Sequence, residues 1–199
     1  MPGTAETARL VLWDYKTSKR LHTMDLGPVH APVLSTAYSH NGGILIAGDY
    51  DGVIRFFDMH SYNTFQAKNI TQDALLGVTF SPDFNSILTL SAAGKLQQWS
   101  TKMFGTCIQE WNIHGDKADY RNLRASDLSY SHDDKFLTTS SPDGEVPFYT
   151  IPKSTAGFAP GTLDTGRGAT YCVDWHPRIP RLITGGADNI IKIWNLKPL

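Results

Sequence analysis

The sequence predicts an all-β fold built from one unit that is repeated along the chain. Four segments align with each other without a gap over 27 positions, beginning at Val33, Leu75, Ala125 and Thr170. Their starts are 42, 50 and 45 residues apart, and repeated four-stranded sheets have a period of about 40–45 residues. Apolar and polar residues alternate within each segment, and no stretch has the apolar spacing of an amphipathic helix.

Each segment contains three short strands joined by tight turns. The polar sequences SHNG, SPDF, SHDD and HPRI predict the turn between the first and second strands. The sequences DYDG, SAAG, SPDG and GADN predict the next turn, in which Gly or Asn takes a positive φ. The third strands end on Phe57, Trp99, Tyr149 and Trp194, and we expect this aromatic column to lie buried between sheets.

The motifs that close the segments are typical of one protein family. The sequences LWD, QWS and IWN, together with the SPD turns, resemble those of the WD-repeat family of β-propellers. The resemblance implies a WD-repeat β-propeller segment with four recognisable repeats and a partial N-terminal one, as part of a larger propeller. A single domain is expected over residues 1–199, with repeats near 8–26 (partial), 33–70, 75–112, 125–165 and 170–196.

The repeats depart from the family's pattern in ways that affect cohesion. The Gly-His pair that precedes the first strand in the family is missing from every copy, and Ala93 replaces a turn aspartate. The family's network of His, Asp and Trp is therefore expected to be incomplete, which leaves cohesion to apolar packing between sheets. Pro147 removes a hydrogen-bond donor from a third strand, so the outer strand beside it is expected to be short or absent.

The N-terminal segment leaves three alternatives for the closure of the propeller ring. Residues 19–26 could form the fourth strand of the last sheet, in which case residues 8–14 would be displaced. A larger propeller with further blades is the favoured alternative, because a closed ring needs about four to eight blades. An open arc, capped by a partner or by dimerisation, is the third.

The composition argues against several classes of function. The formal net charge of −1 provides no global field to attract nucleic acid or an anionic membrane. Cys107 and Cys172 lie far apart, the N-terminus lacks an apolar signal sequence, and no apolar run is long enough to span a membrane. We therefore expect a cytoplasmic protein without nucleic-acid binding or direct membrane insertion.

Candidate catalytic groups are few. Asp174 lies close to His176, and His132 lies beside Asp133, but both groups fall next to predicted turns, where a structural role is favoured. The segment GTLDTGRG lacks the ending of a phosphate-binding loop. No catalytic residue, cofactor or metal is predicted. A propeller enzyme would require the polar residues of the first strands to converge on the central channel, namely Ser35, Asp127, Ser129 and Asp174.

The family resemblance implies a non-enzymatic scaffold for protein–protein interactions. Within the family, the order of the elements GDYDGVIRFFD, GKLQQWS, EWNI and VDW resembles that of an endosomal member. That resemblance implies endosome maturation as the process, a late-endosomal Rab GTPase as the partner and a peripheral location on endosomes. The alternative is an adaptor subunit of another multiprotein complex, of the chromatin or ubiquitin-ligase type.

Partner binding is predicted on one rim of the propeller. In WD-repeat propellers, the loops entering the first strands and the turns between the second and third strands share the usual recognition face. Here this rim would carry His30, Asp49, Tyr50, Arg121, Arg124 and Arg167. Tyr50 is the strongest candidate, because tyrosine and arginine are common binding hot spots. Its ring either contacts a partner or lies flat on its own sheet.

Overall fold

The computed structural model describes residues 8–26, 31–103, 105–113, 127–131, 133, 135–141, 144–150, 160–166 and 168–196. All of the regular structure in these ranges is β-strand, and the strands form five antiparallel sheets, numbered I to V along the chain. The all-β prediction is thereby confirmed.

The strands follow each other within each sheet in chain order. Sheet I contains β1 (Arg9–Asp14) and β2 (Lys19–Asp25), and sheet II contains β3 (Val33–Tyr38), β4 (Ile44–Asp49), β5 (Val53–Asp58) and β6 (Asn63–Asn69). Sheet III contains β7 (Leu75–Phe80), β8 (Ser86–Ser91), β9 (Lys95–Ser100) and β10 (Cys107–Asn112). Sheet IV contains β11 (Leu128–Tyr130), β12 (Phe136–Thr139), β13 (Glu145–Thr150) and β14 (Pro160–Asp164). Sheet V contains β15 (Thr170–Trp175), β16 (Arg181–Gly186) and β17 (Ile191–Asn195).

Successive sheets pack through the same columns of the repeat. The face of sheet II that carries Ile46, Ile54 and Phe56, which we call its forward face, packs on the rear face of sheet III. That rear face carries Leu75, Val78 and Ile87. The corresponding residues join sheet III to sheet IV, namely Leu88, Leu90 and Leu96 against Leu128, Leu137 and Tyr149. Sheets IV and V repeat the contact with Val146 against Val173, Trp175 and Leu182. This radial stacking of sheets is a β-propeller arrangement.

Sheets I and V each expose a face whose counterpart is buried in the sheets between them. Ile191 and Ile193, on the forward face of sheet V, are 74% and 63% exposed, whereas the corresponding Ile54 and Phe56 of sheet II are buried. At the other end, Trp13 on the rear face of sheet I is 60% exposed. These apolar residues are the unmatched halves of the contact that joins the inner sheets.

The aromatic column at the ends of the third strands is only partly buried. Phe57 and Tyr149 are buried, as predicted, but Trp99 and Trp194 are half-buried. The indole Nε1 of Trp99 donates to Thr89 Oγ1 at 3.0 Å, and that of Trp194 donates to Thr184 Oγ1 at 3.0 Å. An indole N–H needs an acceptor when it leaves water. In sheets III and V, the Trp–Thr hydrogen bond supplies this acceptor in place of the network of His, Asp and Trp that is typical of the family.

Two expectations about individual strands are settled by strand pairing. Residues 19–25 form β2, which pairs with β1 and leaves sheet V with three strands. The arrangement in which residues 19–26 complete sheet V is therefore wrong for this structure. The outer strand beside Pro147 is present but short, because β14 has five residues and Pro147 stands opposite Thr162 within the pairing.

Substitutions within the aromatic column test the packing between sheets. Phe57 is 0% exposed and packs beneath sheet I, whereas Trp13 occupies the same column at 60% exposure. We expect Phe57→Ala to lower the free energy of unfolding by about 3–5 kcal/mol, because it leaves a cavity in the core. Trp13→Ala is the matched control and should cost less than about 1 kcal/mol. Equal losses in urea titrations of the two variants would contradict this packing.

Candidate functional site

The turns between second and third strands lie against the loops that enter the first strands. The backbone N–H of Tyr50 donates to Pro32 O at 3.0 Å. The same bond recurs from Ala92 N to Ala74 O and from Ala187 N to Ala169 O, both at 2.8 Å. These turns and loops therefore form one continuous edge of the arc, which we call the turn rim.

A residue with positive φ closes each turn of the turn rim. Its φ is +77° at Gly52, +72° at Gly94 and +83° at Gly144, and Asn189 takes the position in sheet V with a φ of 60°. The three glycine carbonyls also accept backbone hydrogen bonds of 2.9–3.1 Å from Ile70, Ile113 and Thr165, which follow the fourth strands. The turns of sheets II, III and IV are thus tied to the outer strands of their own sheets.

Tyr50 is exposed on the turn rim, on a firmly held turn. The residue is 61% exposed, so a large part of its surface is available for contact. Beside it, Asp49 is fully buried, and its Oδ1 accepts from the N–H groups of Asp51 at 3.0 Å and Val53 at 2.9 Å. Its Oδ2 pairs with the buried guanidinium of Arg55. Asp49 therefore supports the turn from inside, and its carboxylate is not presented to a partner.

The remaining residues predicted for this rim lie outside the described part of the chain. They are His30, Arg121, Arg124 and Arg167. The structure instead brings Thr71 and Asp73 against the Tyr50 turn, because a Cβ on Gly52 would lie 2.1 Å from Thr71 O and 2.9 Å from Asp73 O. Sequence reasoning missed these two residues since they belong to the loop of the next repeat. They could have been found from the sequence, because adjacent repeats of a propeller lie side by side on the same rim.

Charged side chains continue the turn rim beyond Tyr50. The ammonium of Lys95 donates to Glu110 Oε1 at 2.8 Å, and Gln97 Nε2 donates to Oε2 at 2.7 Å. These two hydrogen bonds lower the pKa of the Glu110 carboxyl, and the bond to Glu110 raises the pKa of Lys95. Asp51, in the Tyr50 turn, and Gln72, in the loop that packs against this turn, are both exposed and polar.

Polar residues of the first strands hold neighbouring sheets together. Ser35 Oγ accepts from Val78 N at 3.1 Å, and Ser129 Oγ accepts from Trp175 N at the same distance. Ser129 Oγ also donates to Asp174 Oδ1 at 3.1 Å. The hydroxyls of Ser35 and Ser129 thus take part in hydrogen bonds between first strands of neighbouring sheets. Burial, and to a lesser extent nearby Asp174, raises the pKa of Asp127.

His176 belongs to a turn rather than to a catalytic pair with Asp174. Its Nδ1 accepts from the backbone N–H of Arg178 at 3.1 Å. Ser39 and Ser81 occupy the same repeat position and accept from the backbone N–H groups of Ile44 and Ser86. His132 lies outside the described residues. Over the described ranges, no group of three or more His, Cys, Asp or Glu side chains is arranged to hold a metal ion.

The opposite rim carries the turns within the first hairpins and between third and fourth strands. The backbone N–H of Met59, after β5, donates to Gly43 O at 3.0 Å, which joins the two kinds of turn. Tyr15, in the turn between β1 and β2, is 86% exposed. It provides an exposed tyrosine on the rim that faces away from Tyr50. The described ranges contain no helix able to cross a membrane.

The sequence of the chain is similar to those of known proteins. The family model described as "WD domain, G-beta repeat" matches residues 18–58 and 161–195. WD repeat-containing protein 91 of Xenopus tropicalis is 28% identical over 204 residues, covering 94% of this chain and 27% of that protein. Its homolog in Dictyostelium discoideum is 26% identical and covers 92% of this chain and 23% of that protein. The chain thus spans about a quarter of the length of these relatives.

A solved structure supports the fold. The β-propeller domain of Myceliophteria thermophila Cps50 (Swd1) superposes with a TM-score of 0.66 at 12% sequence identity. The match covers 84% of this chain and 52% of that chain. At this level of identity, the likeness concerns the arrangement of sheets.

The glycine of the Tyr50 turn is the first test of the turn rim. A Cβ at Gly52 would lie 2.1 Å from Thr71 O, on a backbone with φ of +77°. Gly42 is the matched control, because its φ is +70° and nothing lies within 4 Å of the added atom. We expect Gly42→Ala to cost about 1–2 kcal/mol from the backbone alone, and Gly52→Ala to cost about 1–3 kcal/mol more from overpacking. Equal unfolding midpoints would show that the rim is not closely packed there.

Asp127 provides a test by pH. An aspartate in the unfolded chain has a pKa of about 3.9, and that of Asp127 is higher in the folded protein. The protonated form therefore stabilises the fold at low pH, and this contribution is lost as the pH rises through the folded pKa. We expect Asp127→Asn to be more stable than the wild type at pH 7, with the difference vanishing below about pH 4. The exposed Asp51, changed to Asn, should alter stability by less than about 0.5 kcal/mol. A difference in unfolding free energy between Asp127→Asn and the wild type that stays constant across pH would contradict the raised pKa of Asp127.

Proposed function

We propose that this chain, a β-propeller segment that is similar to the WD-repeat family, is a non-enzymatic scaffold that binds a protein partner through the turn rim around Tyr50. The exposure of Tyr50 on a fixed turn is the observation that carries this proposal. Tyr50 is 61% exposed, while the backbone of its turn is held by hydrogen bonds to Pro32 and to the buried Asp49. A tyrosine on a rigid support loses little conformational entropy on binding and supplies a large contact area.

The Tyr50 turn and the loop that packs against it favour a partner with hydrogen-bonding groups. Asp51 and Gln72 are exposed, and Asp73 is half-buried beside them. An aromatic centre with a polar margin has the organisation of a protein-binding site, in which the ring is buried and the margin stays in contact with water. His30, Arg121, Arg124 and Arg167 remain predicted members of the same rim.

We infer that the partner is a late-endosomal Rab GTPase and that the protein works at the periphery of endosomes from the cytoplasm. The order of the repeat elements supports this class, through the family member that it resembles. The matches to relatives named WD repeat-containing protein 91 cover almost the whole chain, which is consistent with that resemblance. Their names state the repeat and no partner, so the Rab assignment depends on the binding experiment.

Binding is tested with two tyrosine variants on opposite rims. Tyr50→Ala should weaken capture of a purified late-endosomal Rab in its GTP-bound form by about 30-fold or more, the effect of a hot-spot residue. Tyr15→Ala, on the opposite rim, should leave binding unchanged. Thermal unfolding of both variants should stay within about 0.5 kcal/mol of the wild type, since both residues are exposed.

Affinity capture from cells followed by mass spectrometry separates the scaffold from the Rab assignment. If the wild type captures proteins other than a Rab, and Tyr50→Ala fails to capture them, the scaffold function is supported and the Rab partner is rejected. If Tyr50→Ala and wild type capture the same proteins in the same amounts, the turn rim around Tyr50 is not the binding site.

A further inference from the structure

We propose that sheet III binds one water molecule beneath the turn between β8 and β9, where the water bridges Ser91 Oγ and Gln97 Oε1. Both residues are buried, at 1% and 8% exposure, and neither oxygen has a hydrogen-bond partner among the described residues. Buried polar atoms of folded proteins are nearly always hydrogen-bonded, either to protein or to ordered water. The site is separate from the exposed Tyr50 and does not depend on the function proposed for it.

Sheet II shows what the same two positions do when their side chains are longer. Ser91 and Gln97 lie three residues before and three residues after the glycine of their turn, as Asp49 and Arg55 do in sheet II. Asp49 and Arg55 meet in a buried ion pair. Serine and glutamine are shorter, and no hydrogen bond joins them in sheet III. A bridging group is therefore needed to connect the two oxygens.

The orientation of the Gln97 amide is fixed from outside the site. Its Nε2 donates to Glu110 Oε2 at 2.7 Å, while Lys95 donates to Glu110 Oε1 at 2.8 Å. An ionised carboxylate only accepts hydrogen bonds, so Nε2 faces Glu110 and Oε1 lies on the other side of the amide. In sheet II, Ala67 stands opposite Arg55, as Glu110 stands opposite Gln97. The carboxylate thus occurs in the sheet whose amide needs to be oriented.

The turn itself supplies a donor to the site. In sheet II, the N–H groups of Asp51 and Val53 donate to the buried carboxylate at 3.0 and 2.9 Å. Their counterparts in sheet III are Ala93 and Lys95, and Ser91 Oγ accepts from neither. A water beneath the turn accepts from one of these N–H groups and donates to the two side-chain oxygens. It then makes three hydrogen bonds, which is usual for a buried water.

The chemistry of the site fits water better than an ion. Its groups are two neutral oxygens and a backbone N–H, so a cation would face the positive end of the N–H dipole. An anion would face Gln97 Oε1, which only accepts hydrogen bonds. The Glu110 carboxylate lies on the outer side of the amide and is paired with Lys95, so it supplies no uncompensated charge for a bound ion. Water both donates and accepts, and it carries no charge that burial would penalise.

A crystal structure of the whole 199-residue chain is the direct test. We expect an ordered water at about 2.6–3.2 Å from both Ser91 Oγ and Gln97 Oε1. The turn of sheet II is the internal control, because Asp49 and Arg55 should be in direct contact there, without a water between them. A direct hydrogen bond between Ser91 and Gln97, or a well-ordered turn without this water, would overturn the proposal.

Transplanting the ion pair of sheet II tests whether Ser91 and Gln97 face one shared site. Ser91→Asp with Gln97→Arg should displace the water and form an ion pair. In urea titrations, Gln97→Arg should lower the equilibrium constant for unfolding at least about tenfold when it is added to Ser91→Asp, because it supplies a partner for a buried carboxylate. Added to the wild type, the same change should give no such gain.

The outcome of this cycle decides the geometry of the site. Equal effects of Gln97→Arg in the two backgrounds would show that the positions do not face each other, which rejects a bridging water. Circular dichroism establishes that each variant is folded. If Ser91→Asp alone does not fold, rescue of folding by the added Gln97→Arg is the supporting result, and failure of rescue is the contrary one.

Discussion

The contact between the forward face of one sheet and the rear face of the next is the interaction on which the structure depends. It repeats from sheet II to sheet V with aliphatic residues in the same columns. Apolar burial of this kind contributes roughly 25 cal/mol per Å², whereas the polar network between Trp and its neighbours is reduced to single Trp–Thr bonds. Because each sheet contacts only its neighbours, stability is the sum of these interfaces, and the position of every turn follows from them.

The turn rim is a consequence of the same stacking. Once two sheets are packed, the turn between the second and third strands of one repeat meets the loop that enters the next first strand. Gly52 shows how close this approach is, since a Cβ would collide with the backbone of Thr71. Asp49 then fills the interior of the turn with Arg55, while Tyr50 is exposed. A surface residue is thus fixed by buried neighbours, which is the condition for a rigid recognition site.

Much of the fold could be predicted from the sequence, because the repeat compares four versions of the same local structure. The turns with Gly or Asn at positive φ and the alternation of the strands each appear several times, so chance matches are averaged out. Asp49 was predicted on the binding rim, but its carboxylate is buried and pairs with Arg55, six residues later. No local sequence pattern reveals this pairing. The half-burial of Trp99 and Trp194 was also beyond local reasoning, since the burial of a third-strand end depends on the sheet that covers it.

The ends of the arc follow from the nearest-neighbour character of the fold. An inner sheet such as sheet III is covered on both faces, and all six residues of β8 are buried. Along β16 and β17, less and more exposed residues alternate, because among the described strands only one face of sheet V has a neighbour. Sheets I and V, each with one described neighbour, therefore have lower local free energies of opening than the sheets between them. The constraint that builds the propeller thus also determines how local stability is distributed among the described sheets.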